Sequence, residues 1–235
     1  MADPAAIIVP TYREAENLPH LVPRITASFE NGEREIEIVV VDDDSRDGTK
    51  EVCQQLSRAH PLRLITRTDQ RGLSSAVLAG FRECHTPLLA VMDADLSHPP
   101  EKLPELFRAL DAGADFALGS RYIDGGATEQ GWGRMRLVNS KVATLLARPL
   151  VSVTDPMAGF FAIRRSRLEA APTLDPLGFK IGLELIVKCG CTHVHEVPIH
   201  FSKRLHGESK LGLREQWNYV RHLGRLYVFR LVNRR

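Results

Sequence analysis

The chain has 235 residues, 43% hydrophobic and 26% charged, with a formal net charge of +2, a balance typical of folded globular proteins rather than disordered or membrane-embedded ones. No apolar run approaches the roughly 18 to 20 residues that cross a bilayer. Met1-Ala2-Asp3-Pro4 has neither the basic nor the apolar region of a secretory signal, so the expected place is the cytoplasm or the cytoplasmic face of a membrane.

Short runs rich in Val and Ile alternate with longer segments of helical period, the rhythm of a mostly parallel α/β sheet flanked by helices. Strands are expected near 5–9, 36–41, 62–66, 88–92 and 115–119. The intervening helices are expected near 16–30, 48–59, 73–84 and 99–112, the last opened by Pro99 and Pro100, where a missing N–H costs little. After Arg121 comes a Gly-rich loop, Asp124 to Gly133, of the kind that closes over substrates. A helix near 134–147, a strand near 158–163, a helix near 179–189, a strand near 194–199, a loop from Ser202 to Gly212 and a final helix near 213–231 complete the pattern. The expected division is one α/β domain over 1–212 and a basic amphipathic helix over 213–235.

In that last helix Leu213, Trp217, Val220, Gly224, Tyr227 and Leu231 share a stripe, while Arg214, Arg221 and Arg225 project elsewhere. The stripe suits packing on the domain. The basic flank and the aromatics also suit a helix lying on an anionic membrane surface, and opposite faces can share the two roles. From Phe201 to Arg235 there are nine Lys or Arg against two Glu, so the preceding residues are net acidic. Nucleic acid, anionic lipid and a phosphate-bearing substrate would all suit that basic end.

Three segments at strand ends carry the chemistry. Asp93 and Asp95, one residue apart where the strand of Val91 and Met92 ends, offer oxygen ligands for Mg²⁺ or Mn²⁺ bridging a diphosphate, at the edge where open α/β sheets bind ligands. The run Asp42-Asp43-Asp44-Ser45-Arg46-Asp47-Gly48-Thr49 gathers like charges that repel, which points to a donor-rich ligand such as a base or ribose. Helix capping by Ser45 or Asp47 accounts for part of it. In Val9-Pro10-Thr11-Tyr12-Arg13-Glu14, Tyr12 offers a flat surface for a base. Cys53, Cys84, Cys189 and Cys191 lack zinc or redox spacing and read as ordinary thiols, and His193 and His195 lack the partners of a metal site.

Taken together, Val9-Pro10-Thr11-Tyr12-x-Glu14-x-Glu16-Asn17, Val40-Val41-Asp42-Asp43-Asp44-Ser45-x-Asp47-Gly48-Thr49, Gly72-Leu73-Ser74-Ser75-Ala76 and Met92-Asp93-Ala94-Asp95-Leu96-Ser97-His98-Pro99-Pro100 resemble the inverting family 2 glycosyltransferases. More narrowly, the chain is similar to the dolichol-phosphate mannose synthases. The likeness continues through Gly119-Ser120-Arg121-Tyr122, Asp155-Pro156-Met157-Ala158-Gly159, Gly178-Phe179-Lys180-Ile181, Glu196-Val197-Pro198 and Gly207-Glu208-Ser209-Lys210-Leu211, covering roughly residues 5 to 225.

The resemblance implies a GT-A fold and a catalytic role for residues 1–212. Carried over position by position, it gives Pro10, Tyr12, Glu14, Val41 and Asp43 to the nucleoside, and Asp93, Ala94 and Asp95 to the sugar diphosphate and its metal. Ser97, where some relatives have a metal-assisting Gln, has a shorter reach, and a water can take that place. Arg121, Arg136, Ser140 and Arg204 match positions around the acceptor phosphate, and Lys210 lies on the donor side; Asp95, Arg121, Arg136 and Arg204 are the expected catalytic set. His98 and His206 are candidate phosphate contacts, and Glu184 is either a sugar contact or a helix-surface acid.

The implied reaction is inverting transfer of mannose from GDP-mannose to dolichyl or polyprenyl phosphate, with Mg²⁺ or Mn²⁺ as cofactor. An acceptor that is already an anion requires no dedicated general base. No Gln-x-x-Arg-Trp string is present, which disfavours processive polysaccharide synthesis. A UDP-glucose-dependent enzyme with the same acceptor and a catalytically silent GT-A binding subunit are the alternatives. No RNP motif and no Gly-x-Gly-x-x-Gly after the first strand argue against nucleic acid and dinucleotide partners. Expected attachment is peripheral, through the basic final helix at the membrane surface or through a membrane partner subunit.

Overall fold

The computed structural model describes residues 2–128, 142–203, 205 and 213–233, with side chains from 216 onward in the last stretch. Arg136, Ser140, Arg204, His206 and Lys210 lie outside the described residues, as do the second half of the Gly-rich loop and the start of the helix expected from 134.

The apolar runs form β1 (Ala5–Thr11), β2 (Ile36–Asp42), β3 (Leu62–Thr66), β4 (Leu88–Val91) and β5 (Phe116–Ser120). Further along are β6 (Ala127–Thr128), β7 (Phe161–Arg164), β8 (Val194–Pro198) and β9 (His200–Phe201). Seven strands make one sheet in the order β3-β2-β1-β4-β7-β5-β8, and β6 pairs with β9 in a small parallel ribbon. The sheet is parallel except for β7, which runs antiparallel to both β4 and β5. An apolar run does not encode its direction, so the expected strand near 158–163 gave no sign of this reversal.

Alternation along β1 divides the core. Ala5, Ile7 and Val9 face one apolar cluster, and Ala6 and Ile8 face the other. The first cluster is closed by α1 (Leu18–Ala27), α2 (Thr49–Leu56) and α4 (Leu103–Asp111). In α1 the buried residues Leu18, Leu21, Val22 and Ile25 recur at helical spacing, as do Leu103, Leu106, Phe107 and Leu110 in α4. Each fully buried Leu, Ile or Phe contributes about 1.5–3 kcal/mol.

The second cluster is closed by α3 (Leu73–Glu83), α7 (Ile181–Lys188) and α8 (Leu213–Val232). Gly80 lets α3 approach the sheet closely, since a Cβ there would lie 2.7 Å from Ile8 Cγ2. Two further helices are α5, described over 142–147, and the short α6 (Arg165–Glu169).

The packing face of α8 is not the expected stripe. His222, Leu223 and Leu226 are buried, whereas Trp217, Val220 and Leu231 are exposed. The helix is apolar on more than one side, so periodicity alone could not select the docked face. Its Tyr219 and Tyr227 hydroxyls donate to Ala143 O and Leu146 O of α5, each at 2.7 Å, supplying partners at a helix end. Among the described residues, no helix is long and apolar enough to cross a membrane.

Candidate active site

The strand order changes direction at β1, with β2 on one side and β4 on the other. That switch point is where open α/β sheets leave a crevice beyond the strand ends. The residues following β1, β2 and β4 are Tyr12, Asp43 and the Met92-Asp93-Ala94-Asp95 turn. Among the described residues the non-glycines with positive φ are Arg13, Asp44, Arg46 and Leu96, all in these loops. Left-handed backbone costs roughly 1–2 kcal/mol for an L-residue, and such strain tends to cluster at functional loops.

Beside the first two loops lies a cavity of about 540 Å³ lined by Tyr12, Arg13, Asp44, Ser45, Arg46, Asp47 and Arg71. The guanidiniums of Arg13 and Arg71 lie 5.4 and 5.1 Å from the Tyr12 ring centroid. Glu14 Oε2 accepts from Asn17 Nδ2 at 2.6 Å, holding the turn into α1. Pro10 is half-buried in β1. Val41 is fully buried in the core, so its side chain is turned away from this crevice.

Within the fold, remote donors also meet the acidic run. Asp43 accepts from Arg67 Nε at 2.8 Å, from Arg67 Nη2, and from the Gly72 N–H at 2.7 Å. Asp42 accepts from Thr11 Oγ1 at 3.0 Å and from the Ser45 N–H at 2.9 Å. Asp47 accepts from the N–H groups of Thr49 and Ala15 at 3.1 and 3.2 Å. These donors answer the like-charge crowding with internal bonds. Asp47 thus caps the start of α2, and Gly48 supplies the left-handed step before it (φ 94°).

The Asp93–Asp95 turn is held from several sides. Ser97 donates its N–H and its hydroxyl to Asp95 Oδ1, at 3.1 and 2.5 Å. Ser97 therefore orients Asp95. Ala94 is buried in the core, and the Asp93 side chain retains 30% exposure. Leu205 N–H donates to Asp95 O at 3.2 Å and Ser202 N–H to Ser97 O at 3.1 Å, so the chain flanking position 204 rests on this turn.

His98 is buried rather than placed to meet a phosphate, which corrects its expected role. Its Nδ1 accepts the Asp93 N–H at 3.1 Å. Burial pushes its pKa below the ordinary value, against the opposing pull of Asp93 and Asp95.

Across the crevice, Arg121 donates Nε and Nη2 to Asp155 Oδ2 and Oδ1, each at 2.7 Å. Asp155 is itself held by Glu196, whose carboxylate accepts the N–H groups of Thr154 and Asp155 at 2.8 and 3.2 Å. Lys180 Nζ donates to Met157 O at 3.0 Å, bringing the Gly178–Ile181 motif against the segment beside Asp93. Sequence reasoning missed Arg67, Arg71 and Asp155 as supports of the site. Arg67 directly follows β3, and the strand-end rule that singled out Asp93 applies to it equally.

Glu184 is neither a surface acid nor directed at the crevice. It is 1% exposed and faces His222 of α8 from within α7. It accepts the Asp175 N–H at 2.7 Å and pairs with Lys188 at 2.6 Å, with His222 Nε2 3.4 Å away.

A family model described as glycosyl transferase family 2 matches residues 6–170. The chain belongs to glycosyl transferase family 2. Within that family it is 44% identical over 225 residues to a dolichol-phosphate mannosyltransferase of Pyrococcus furiosus, covering 94% of this chain and 63% of that protein. It therefore spans just under two thirds of that relative's length.

Two solved structures share the fold of this family 2 chain. A mannosyltransferase of Pyrobaculum calidifontis in complex with GDP-Man and Mn²⁺ aligns with a TM-score of 0.65 and 20% identity, over 100% of this chain and 66% of that one. Glucosyl-3-phosphoglycerate synthase of Mycobacterium tuberculosis, in complex with Mn²⁺ and UDP, aligns with a TM-score of 0.69 and 18% identity, over 97% and 80%. The fold is GT-A, as the motifs implied.

Proposed function

We propose that this chain transfers mannose from GDP-mannose, with inversion, to the phosphate of a dolichol or other polyprenol, giving polyprenyl phosphate mannose and GDP. The observation that carries the reading is the pair Asp93 and Asp95 at the sheet's switch point, in a chain 44% identical to a dolichol-phosphate mannosyltransferase.

Two carboxylates one residue apart fit a Mg²⁺ or Mn²⁺ whose remaining ligands come from substrate phosphates and water. A fully protein-bound ion would need a larger set. Asp93 and Asp95 would hold the ion, which when bound neutralises charge on the departing diphosphate.

The residues of the chain provide the rest. Tyr12, with Arg13 and Arg71 beside it, presents a stacking surface for the base, and Asp43 with Arg67 shapes the wall next to it. An acceptor phosphate oxygen attacks C1 of mannose as the bond from C1 to the diphosphate oxygen breaks. No proton has to be removed from the nucleophile, so the task is alignment of two anions. Arg121, rigidly oriented by Asp155, borders the acceptor side, with Arg136, Ser140, Arg204 and Lys210 proposed from their motif positions.

The fold-level likenesses include both a GDP-Man and a UDP complex, so the donor rests on the sequence relative. UDP-glucose remains the competing donor. Equilibrium binding of GDP and UDP in the presence of Mn²⁺ tests the choice: GDP at least tenfold tighter supports GDP-mannose, and UDP tighter overturns it, with tenfold corresponding to about 1.4 kcal/mol.

A lipid acceptor also accounts for the outer surface of α5 and α8. Val142, Leu145 and Leu146 of α5 and Trp217, Val220, Val228, Leu231 and Val232 of α8 are exposed, with Arg221 exposed among them. This apolar face with a basic rim suits the surface of an anionic bilayer. We accordingly place the protein peripherally on the cytoplasmic face of a membrane; a membrane partner subunit is the other occupant that would fit.

A further inference from the structure

We infer that His98 is a positioning residue: by accepting the Asp93 N–H, it fixes the backbone from which the Asp93 carboxylate is presented to a divalent cation. The inference rests on the reading of Asp93 and Asp95 as the cation's protein ligands.

The geometry makes the imidazole a hydrogen-bond acceptor. Nδ1 lies 3.1 Å from Asp93 N, so that nitrogen serves as an acceptor and the ring proton is on Nε2. The ring cannot turn away. It stacks on Phe160 with centroids 5.2 Å apart and planes at 15°, and meets the edge of Phe201 at 5.4 Å and 69°. Its side chain is 3% exposed. A phenylalanine would fill the same slot, yet it would leave the Asp93 N–H without this acceptor.

The two acids of the motif are thereby governed from different sides. Asp95 is held through its carboxylate by Ser97, whereas Asp93 is held through its main chain by His98. Asp93 is also the more exposed acid, with 30% of its side chain exposed, whereas Asp95 is buried. Fixing the peptide at residue 93 narrows the directions its side chain can take without covering its oxygens. Outer groups that orient metal ligands typically change metal affinity by about 10- to 100-fold when removed.

The test measures Mn²⁺ binding in the presence of GDP, by loss of the free-ion electron paramagnetic resonance signal, for wild type, Asp93→Asn, His98→Phe and His98→Asn. Asparagine places its amide oxygen near the position of Nδ1, so it preserves the acceptor with a smaller side chain. The expected result is Mn²⁺ affinity weakened about 10- to 100-fold in His98→Phe and largely restored in His98→Asn.

If Asp93→Asn binds Mn²⁺ as wild type does, the reading of the acidic pair fails. If Asp93→Asn is impaired while His98→Phe is not, the role of His98 is overturned and the pair stands. Equal losses in His98→Phe and His98→Asn would overturn the acceptor role in favour of simple packing. Nitrogen-15 spectra of the wild-type imidazole add a measurement that needs no variant: a proton on Nε2 with a hydrogen-bonded Nδ1 is expected, and a proton on Nδ1 contradicts the inference.

Discussion

Arg121 and Asp155 form a two-pronged ion pair, with both bonds at 2.7 Å and the Asp155 side chain fully buried. The Arg121 side chain is itself 9% exposed, so the pair stands largely out of water. Removing one partner strands the other. Asp155→Asn and Arg121→Ala should each destabilise the fold by about 3–5 kcal/mol, on the order of 10 °C in Tm for a chain of this length. Thermal unfolding checks this; a Tm within about 2 °C of wild type in both variants would show that the pair is not structural.

Arg67 has the corresponding place on the donor side. It bonds Asp43, Ser75 Oγ at 3.0 Å and Gly72 O at 3.2 Å, tying the loop that carries Arg71 to the end of β2. Arg67→Met should loosen that loop and weaken GDP binding on the order of tenfold, about 1.4 kcal/mol, with little change in the dependence on acceptor concentration. Calorimetry with GDP is the readout, and unchanged affinity would remove Arg67 from the donor wall.

The α7–α8 contact should be acid-sensitive. The Leu177 N–H donates to His222 Nδ1 at 3.0 Å, and Nε2 faces Glu184 at 3.4 Å. Burial holds the His222 pKa below its ordinary value, against the pull of Glu184; Lys188 and Arg225 lower it further. The unfolded chain therefore takes up this proton at higher pH than the folded chain. The contribution of the neutral ring to stability is full above about pH 6.5 and is lost as pH falls through the folded value. Between about pH 7.5 and pH 5.5, wild type should lose more Tm than His222→Gln. Equal losses would show that His222 does not set this dependence.

Trp217 and Leu231 on the outer face of α8 are 64% and 66% exposed, so replacing them should cost the fold little. Trp217→Asp with Leu231→Asp should leave stability within about 0.5 kcal/mol per site and reduce sedimentation with anionic vesicles. Undiminished sedimentation would move the lipid surface elsewhere on the molecule.

The first five strands were legible because short apolar runs end at polar turns, and the ends of β1, β2 and β4 pointed to the crevice. Direction was not legible in the run that became β7. The internal bonds of the acidic segment at 42–47 were not legible for a physical reason: its donors, Arg67, Gly72 and Ala15, come from loops that only folding brings near. His98 was obscured in the same way, since its ring is framed by Phe160, just before β7, and Phe201 of β9, both distant in the chain. In α8 the docked face of His222, Leu223 and Leu226 competes with an equally apolar outer face, and Glu184, which helps decide between them, is a residue type rarely found buried.

The central claim is tested most directly by following labelled mannose from GDP-mannose into polyprenyl phosphate, in detergent with Mn²⁺ or Mg²⁺, for wild type and folded Asp95→Ala. The account predicts a mannosyl lipid from wild type that disappears with chelator and is reduced by at least 100-fold in the variant, about 2.7 kcal/mol of lost transition-state stabilisation. Undiminished transfer by Asp95→Ala, or no lipid product from folded wild type with either cation, would contradict it.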